Sequence, residues 1–149
     1  MFILVILIVT TLLARLLGMG GVLVLDSWPA AIRGGLCAMF LVTALAHFNS
    51  MRHDLARMVP PIFPRPLAVI YFTGVCEVLG AIGLLLAWAR IYAAAGLILF
   101  MVAILPANIH AAKAKVTLRG RPATPLIVRI PMQVLFIALT WWAGIIQAK

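Results

Sequence analysis

Five long apolar runs limit what this chain can fold into. They cover residues 2–25, 30–48, 67–88, 91–112 and 126–146 of a 149-residue sequence. About 20 residues at a 1.5 Å rise cross a hydrocarbon core of about 30 Å. Inside lipid every backbone N–H and C=O must find its partner within the protein, which leaves helices or closed barrels. The runs are too long and too evenly apolar for the alternating strands of a barrel. The predicted fold is therefore all-α, a polytopic transmembrane helix bundle forming one domain. Composition points the same way. Hydrophobic residues make up 66% of the chain and charged residues 10%, against roughly 45–50% and about 25% in soluble domains.

The first run is interrupted by Arg15, and no cationic stretch precedes it. A signal peptide needs that stretch and a small-residue cleavage site, of which Gly18 to Gly21 is a poor imitation. The run reads as a helix, with half-insertion as the alternative.

Net charge is +9, but the cations do not form a phosphate-binding stripe, so nucleic acid is not an expected partner. They gather in two connections. One carries Arg52, Arg57 and Arg65, and the other carries Lys113, Lys115, Arg119 and Arg121, against Arg33, Arg90 and Lys149 on the opposite side. This asymmetry is a positive-inside signature. It predicts a bacterial cytoplasmic (inner) membrane protein with its N-terminus in the cytoplasm and its C-terminus outside. The bilayer is the first expected partner, and the same cations suit anionic head groups.

Only three residues are acidic: Asp26, Asp54 and Glu77. The first two lie in or beside polar connections, whereas Glu77 sits in the middle of the third run. An ionisable group at that depth is a functional candidate by default. Thr73 and Gly74 lie one turn before it, Gly80 and Ala81 one turn after, so the carboxyl projects from a strip of small residues that lets helices approach closely. Arg15 falls near the same depth on the first helix. Two readings of that pair stay open: a charged element of a ligand or proton site, or a buried ion pair fixing helix order.

A second polar set is expected nearer the cytoplasmic side: His47, Asn108, His110, Arg129 and Gln133. Arg129 and Gln133 share a face one turn apart. Pro106 frees the Val102 carbonyl, which would join a polar cavity there. Each residue also has a plain reading, as an interfacial histidine, interhelical hydrogen-bond glue or a snorkelling arginine. Cys37 and Cys76 stand alone on different runs and read as small hydrophobes, with a redox pair as the alternative. The two histidines have no acidic company at their predicted depth, so no metal site is expected.

The residues His47-Phe48, the stretch RMVPPIFPRPLAVIYFTGVCEVLGAIGLLL from Arg57 to Leu86, PANIHAA from Pro106 to Ala112 and RIPMQ from Arg129 to Gln133 resemble the DoxX-like family of small bacterial integral membrane proteins. The similarity runs from about residue 31 to 142. It implies a four-helix core made of the last four runs, with the first helix as an addition. The family takes its name from a small membrane subunit of an archaeal thiosulfate:quinone oxidoreductase. The resemblance therefore implies His47, Glu77, Asn108, Arg129 and Gln133 as site residues, without transferring their roles.

Two function classes follow. In the first, a redox-associated membrane protein binds a quinone or similar lipophilic small molecule. Glu77 and His47 handle protons, while Asn108, Arg129, Gln133, His110 and Arg15 contact the ligand. In the second, the protein is a non-catalytic partner subunit, assembly factor or lipid binder whose polar residues fix packing. Other membrane or redox subunits, or further copies of the chain, are the expected protein partners. Proton-coupled transport fits less well, because such transporters usually have more helices or repeated halves.

Overall fold

In a computed structural model, which describes residues 2–118, 120–122 and 124–147, the chain is an all-α bundle. The cations Arg119 and Lys149 lie outside these residues. The elements are α1 (Phe2–Met19), a 3₁₀ turn (Leu23–Leu25), α2 (Trp28–Phe48), a short α3 (Arg52–Ala56), α4 (Pro66–Gly83), α5 (Arg90–Ala103), α6 (Leu105–Lys113), a two-residue hairpin of β1 (Thr117–Leu118) and β2 (Arg121–Pro122), α7 (Leu126–Trp141) and a closing π turn (Trp142–Ile146). Five helical spans are long and apolar enough to cross a membrane, with α5 and α6 forming one span of 24 residues.

The first helix is shorter than its apolar run. It stops at Met19 because the chain reverses there: Gly21 takes φ +110°, and the Leu25 carbonyl packs so closely on Gly18 that a Cβ would collide with it. Left-handed backbone and close approach are what glycine permits. α2 then starts from an N-cap, with Ser27 Oγ accepting from Ala30 N at 3.3 Å and Pro29 in the first turn. The fourth span is broken at Ile104, just before Pro106, because proline cannot continue the hydrogen-bond ladder.

α2 is the central helix and packs against α1, α4, α7 and the closing turn. Leu36, Met39 and Phe40 of α2 meet Ala81 of α4, Leu84 just beyond it, and Ala94, Leu97 and Met101 of α5. The outer surface is apolar: Leu12, Leu16, Phe72, Leu79, Leu99 and Ile127 are all exposed. This distribution suits lipid, since an exposed apolar surface of this extent would associate in water.

The small-residue strip on α4 brings helices together as expected. A Cβ on Gly74 would lie 2.6 Å from His47 Cβ, and one on Gly80 would lie 2.6 Å from Leu97 Cγ. Those contacts fix the register of α4 against α2 and α5.

A membrane cavity lined by Glu77, His47 and an amide chain

The strip at Gly74 determines where the end of α2 falls. His47 is one residue from that end, yet it packs on Gly74, which is eight residues into α4. At 1.5 Å per residue this offsets the two helix ends by about 12 Å. α3 and the proline-rich connection fill the difference. His47 therefore lies beside Glu77 instead of in a separate layer below it, which corrects the expectation that the histidine lacks acidic company.

Glu77 is buried, with 5% of its surface exposed. Its Oε1 is hydrogen-bonded to the Thr43 hydroxyl of α2. Oε2 lies 3.4 Å from His47 Nε2, too long for a hydrogen bond, and has no hydrogen-bond partner. His47 Nδ1 is 2.8 Å from the Ile70 carbonyl and 3.2 Å from Thr73 Oγ1. A carbonyl only accepts, so Nδ1 carries a hydrogen and donates it. Nε2 is then the nitrogen turned to Glu77, within ion-pair range of Oε2 but not hydrogen-bonded to it. Thr43 suits the carboxyl whether it is charged or carries a proton on Oε1. Its hydroxyl can donate to Oε1, or accept from a protonated Glu77 while donating to the Phe40 carbonyl at 3.0 Å.

A second polar chain crosses from α7 to the break between α5 and α6. Arg129 Nη1 donates to Asn108 Oδ1 at 2.7 Å, Asn108 Nδ2 donates to Gln133 Oε1 at 3.3 Å, and Gln133 Nε2 donates to the Met101 carbonyl. Each amide orientation is fixed by its neighbour, because the last acceptor is a carbonyl. The carbonyl drawn into the site is Met101's, one residue before the expected Val102.

Both groups line one cavity of about 730 Å³. Thr43, His47, Asn49, Thr73, Glu77, Asn108, Thr124, Arg129 and Gln133 are its polar lining, and apolar side chains such as Met39, Phe100, Met132 and Phe136 complete the wall. The two polar sets placed in separate layers by sequence are thus one site. It spans α2, α4, α5–α6 and α7.

Two candidate residues stand apart. Arg15 Nη1 bonds Asp26 Oδ1 at 2.7 Å, and its guanidinium lies 5.8 Å from the Trp28 ring centre. Because α1 ends at Met19, Arg15 is one turn from a helix end, not at its middle, and its stem reaches the connection. It does not pair with Glu77. His110 does not line the cavity. It is two residues from the inward-facing Asn108, about 200° around a helix. The cysteines are free, Cys37 buried and Cys76 half-buried, and among the described residues no group of three or more His, Cys, Asp or Glu side chains could hold a metal ion. Thr43, Asn49 and Thr124 line the cavity without having been candidates from sequence, and the signal for Thr43 was the spacing of four residues to His47 on one face of α2.

Residues 36–144 match a family described as a domain of unknown function (DUF8561). The chain belongs to that family. The matched segment starts inside α2 and ends in the closing turn, so it contains the Glu77–His47 and Arg129–Asn108–Gln133 groups of the cavity and leaves out α1 with Arg15. No curated protein and no solved structure matches the chain.

Proposed function

We propose that this is a multi-pass protein of the bacterial cytoplasmic membrane, DoxX-like in type, that holds a quinone or another lipophilic small molecule in the cavity between its helices and works beside redox partners. The observation that carries the reading is a single cavity of about 730 Å³ with an apolar wall and two polar groups of complementary character. Ligand sites are commonly about 300–1,000 Å³, mostly apolar, with a few placed polar groups. The Arg129–Asn108–Gln133 wall supplies donors for a carbonyl or hydroxyl head, and the Glu77–His47 pair supplies a place for a proton to come and go. The basic connections would face the cytoplasm, which puts the N-terminus inside.

The second reading, a non-catalytic subunit or assembly factor, draws on the amide chain. Asn108 and Gln133 satisfy each other and the Met101 carbonyl, which is what interhelical glue does. Purification in a mild detergent followed by mass spectrometry of the extracted small molecules separates the two. Retained quinone or amphiphile that is lost in Glu77→Gln supports the first reading. A clean extract, with quinone-dependent respiration unchanged in a Glu77→Gln strain, would sink it.

A further inference from the structure

Charge accounting within the described residues leaves one cation of the cavity without a counter-ion. Asp26 pairs with Arg15, Asp54 with Arg57, and Glu77 faces Thr43 and His47. Among the described residues Arg129 has no carboxylate within ion-pair distance. Its one protein hydrogen-bond acceptor among these residues is the neutral Asn108 Oδ1, although a guanidinium offers five N–H donors. The amide cannot turn to change this, because Gln133 and the Met101 carbonyl hold it oxygen-first toward Arg129. Nor does Glu77 compensate the charge by pairing: its Oε1 is held by Thr43, its Oε2 faces His47 Nε2 at 3.4 Å, and it is not within ion-pair distance of Arg129. The cavity thus presents a half-buried, fixed positive group at one wall, beside apolar side chains such as Phe100, Met132 and Phe136. A charge in such surroundings costs free energy until a partner arrives.

We propose that the cavity's preferred occupant is an amphiphile whose head is an oxyanion seated on Arg129, with its apolar tail lying along the aromatic and methionine wall. This rests on the reading that the cavity takes an amphiphile, and it narrows the head group. A neutral carbonyl head can use the same donors, but it leaves the guanidinium charge unbalanced. Charge-assisted hydrogen bonds are roughly twice as strong as neutral ones, so an anionic head should bind about tenfold or more tightly than a neutral head of the same length. The oxyanion can come from a free carboxylic acid or from an anionic lipid head group, since both present the same oxygens.

The test uses the full-length protein in nanodiscs of phosphatidylcholine, titrated with dodecanoate, dodecanol or methyl dodecanoate, with binding read from the thermal shift and from tryptophan fluorescence. A parallel arm replaces part of the lipid with phosphatidylglycerol and reads bound lipid by native mass spectrometry. Dodecanoate should bind at least about tenfold more tightly than both neutral analogues. If the natural source is the bilayer, phosphatidylglycerol should be retained and should compete with dodecanoate. Arg129→Gln should abolish the preference and Arg129→Lys should keep part of it. Asn108→Asp provides a second route, because it leaves Arg129 in place and supplies the missing carboxylate from inside, so it too should abolish the preference. Equal binding of acid and alcohol overturns the proposal while leaving an amphiphile site. A preference that persists in both Arg129→Gln and Asn108→Asp also overturns it, by assigning the acid to the basic connections. Binding of none of the three probes and no retained lipid overturns the amphiphile reading itself.

Discussion

Thr43→Val tests the arrangement around Glu77 most directly, because it removes one hydroxyl and keeps the side-chain shape. Thr43 holds Oε1 of a carboxyl that is 5% exposed, and Oε2 has no hydrogen-bond partner of its own. Without the hydroxyl both oxygens would be buried and unsatisfied. Leaving one such group unpaired costs about 1–3 kcal/mol. In a Glu77→Leu background the same change should cost close to nothing, because the hydroxyl then only back-bonds to the Phe40 carbonyl of its own helix. The double-mutant cycle should therefore return a coupling of about 1–3 kcal/mol. Reversible unfolding in mixed micelles, followed by tryptophan fluorescence, measures all four corners. A coupling below about 0.5 kcal/mol, the usual scatter of independent sites, would refute the reasoning, because it would mean that the hydroxyl serves the Phe40 carbonyl and not the carboxyl.

Other expectations follow from the same geometry. Gly74→Ala drives a methyl against His47 Cβ and should destabilise the bundle by about 1–3 kcal/mol through overpacking while weakening any ligand bound at Glu77; Gly96→Ala, where nothing lies within 4 Å, should be neutral or slightly stabilising in the same thermal-unfolding assay. Gln133→Leu strands the Met101 carbonyl and the Asn108 amide, and a loss of about 1–3 kcal/mol is expected. Because Arg15 and Asp26 form a partly exposed pair, Arg15→Gln should cost less than about 1 kcal/mol, and an Arg15→Glu, Glu77→Arg double variant should recover no yield over Glu77→Arg alone. For topology, in a chain lacking Cys37 and Cys76, a cysteine at Leu23 should react with a membrane-impermeant maleimide in intact cells and one at Ser50 should not; the reverse pattern would invert the orientation.

The errors of sequence reading share one cause. Position along an apolar run gives depth only where all runs begin at common planes, and in this bundle they do not. α1 ends six residues before its run does, at Gly18 to Gly21, so Arg15 moves from the middle of a span to its end. α4 begins well beyond the end of α2, so His47 moves up to Glu77. The break at Ile104 and the pairing of Gln133 with Met101 were likewise only half legible: Pro106 announces a disrupted ladder, but which carbonyl is met depends on how α7 packs.

What the sequence determined alone was whatever depends on local composition and period. Five spans follow from the length and hydropathy of the runs, and the burial of Glu77 follows from its position in a small-residue strip. The inward turn of Asn108 rather than His110 needed packing to decide, although their spacing had already placed them on different faces. Tertiary structure decided which polar groups meet. Contacts between helices are set by their relative shift and tilt, and these come from close approaches such as Gly74 on His47 and Gly35 on Thr11, which no single segment encodes. One shift along α4 is therefore enough to turn two polar layers into one cavity, and to replace a suspected Arg15 partner with Thr43 and His47.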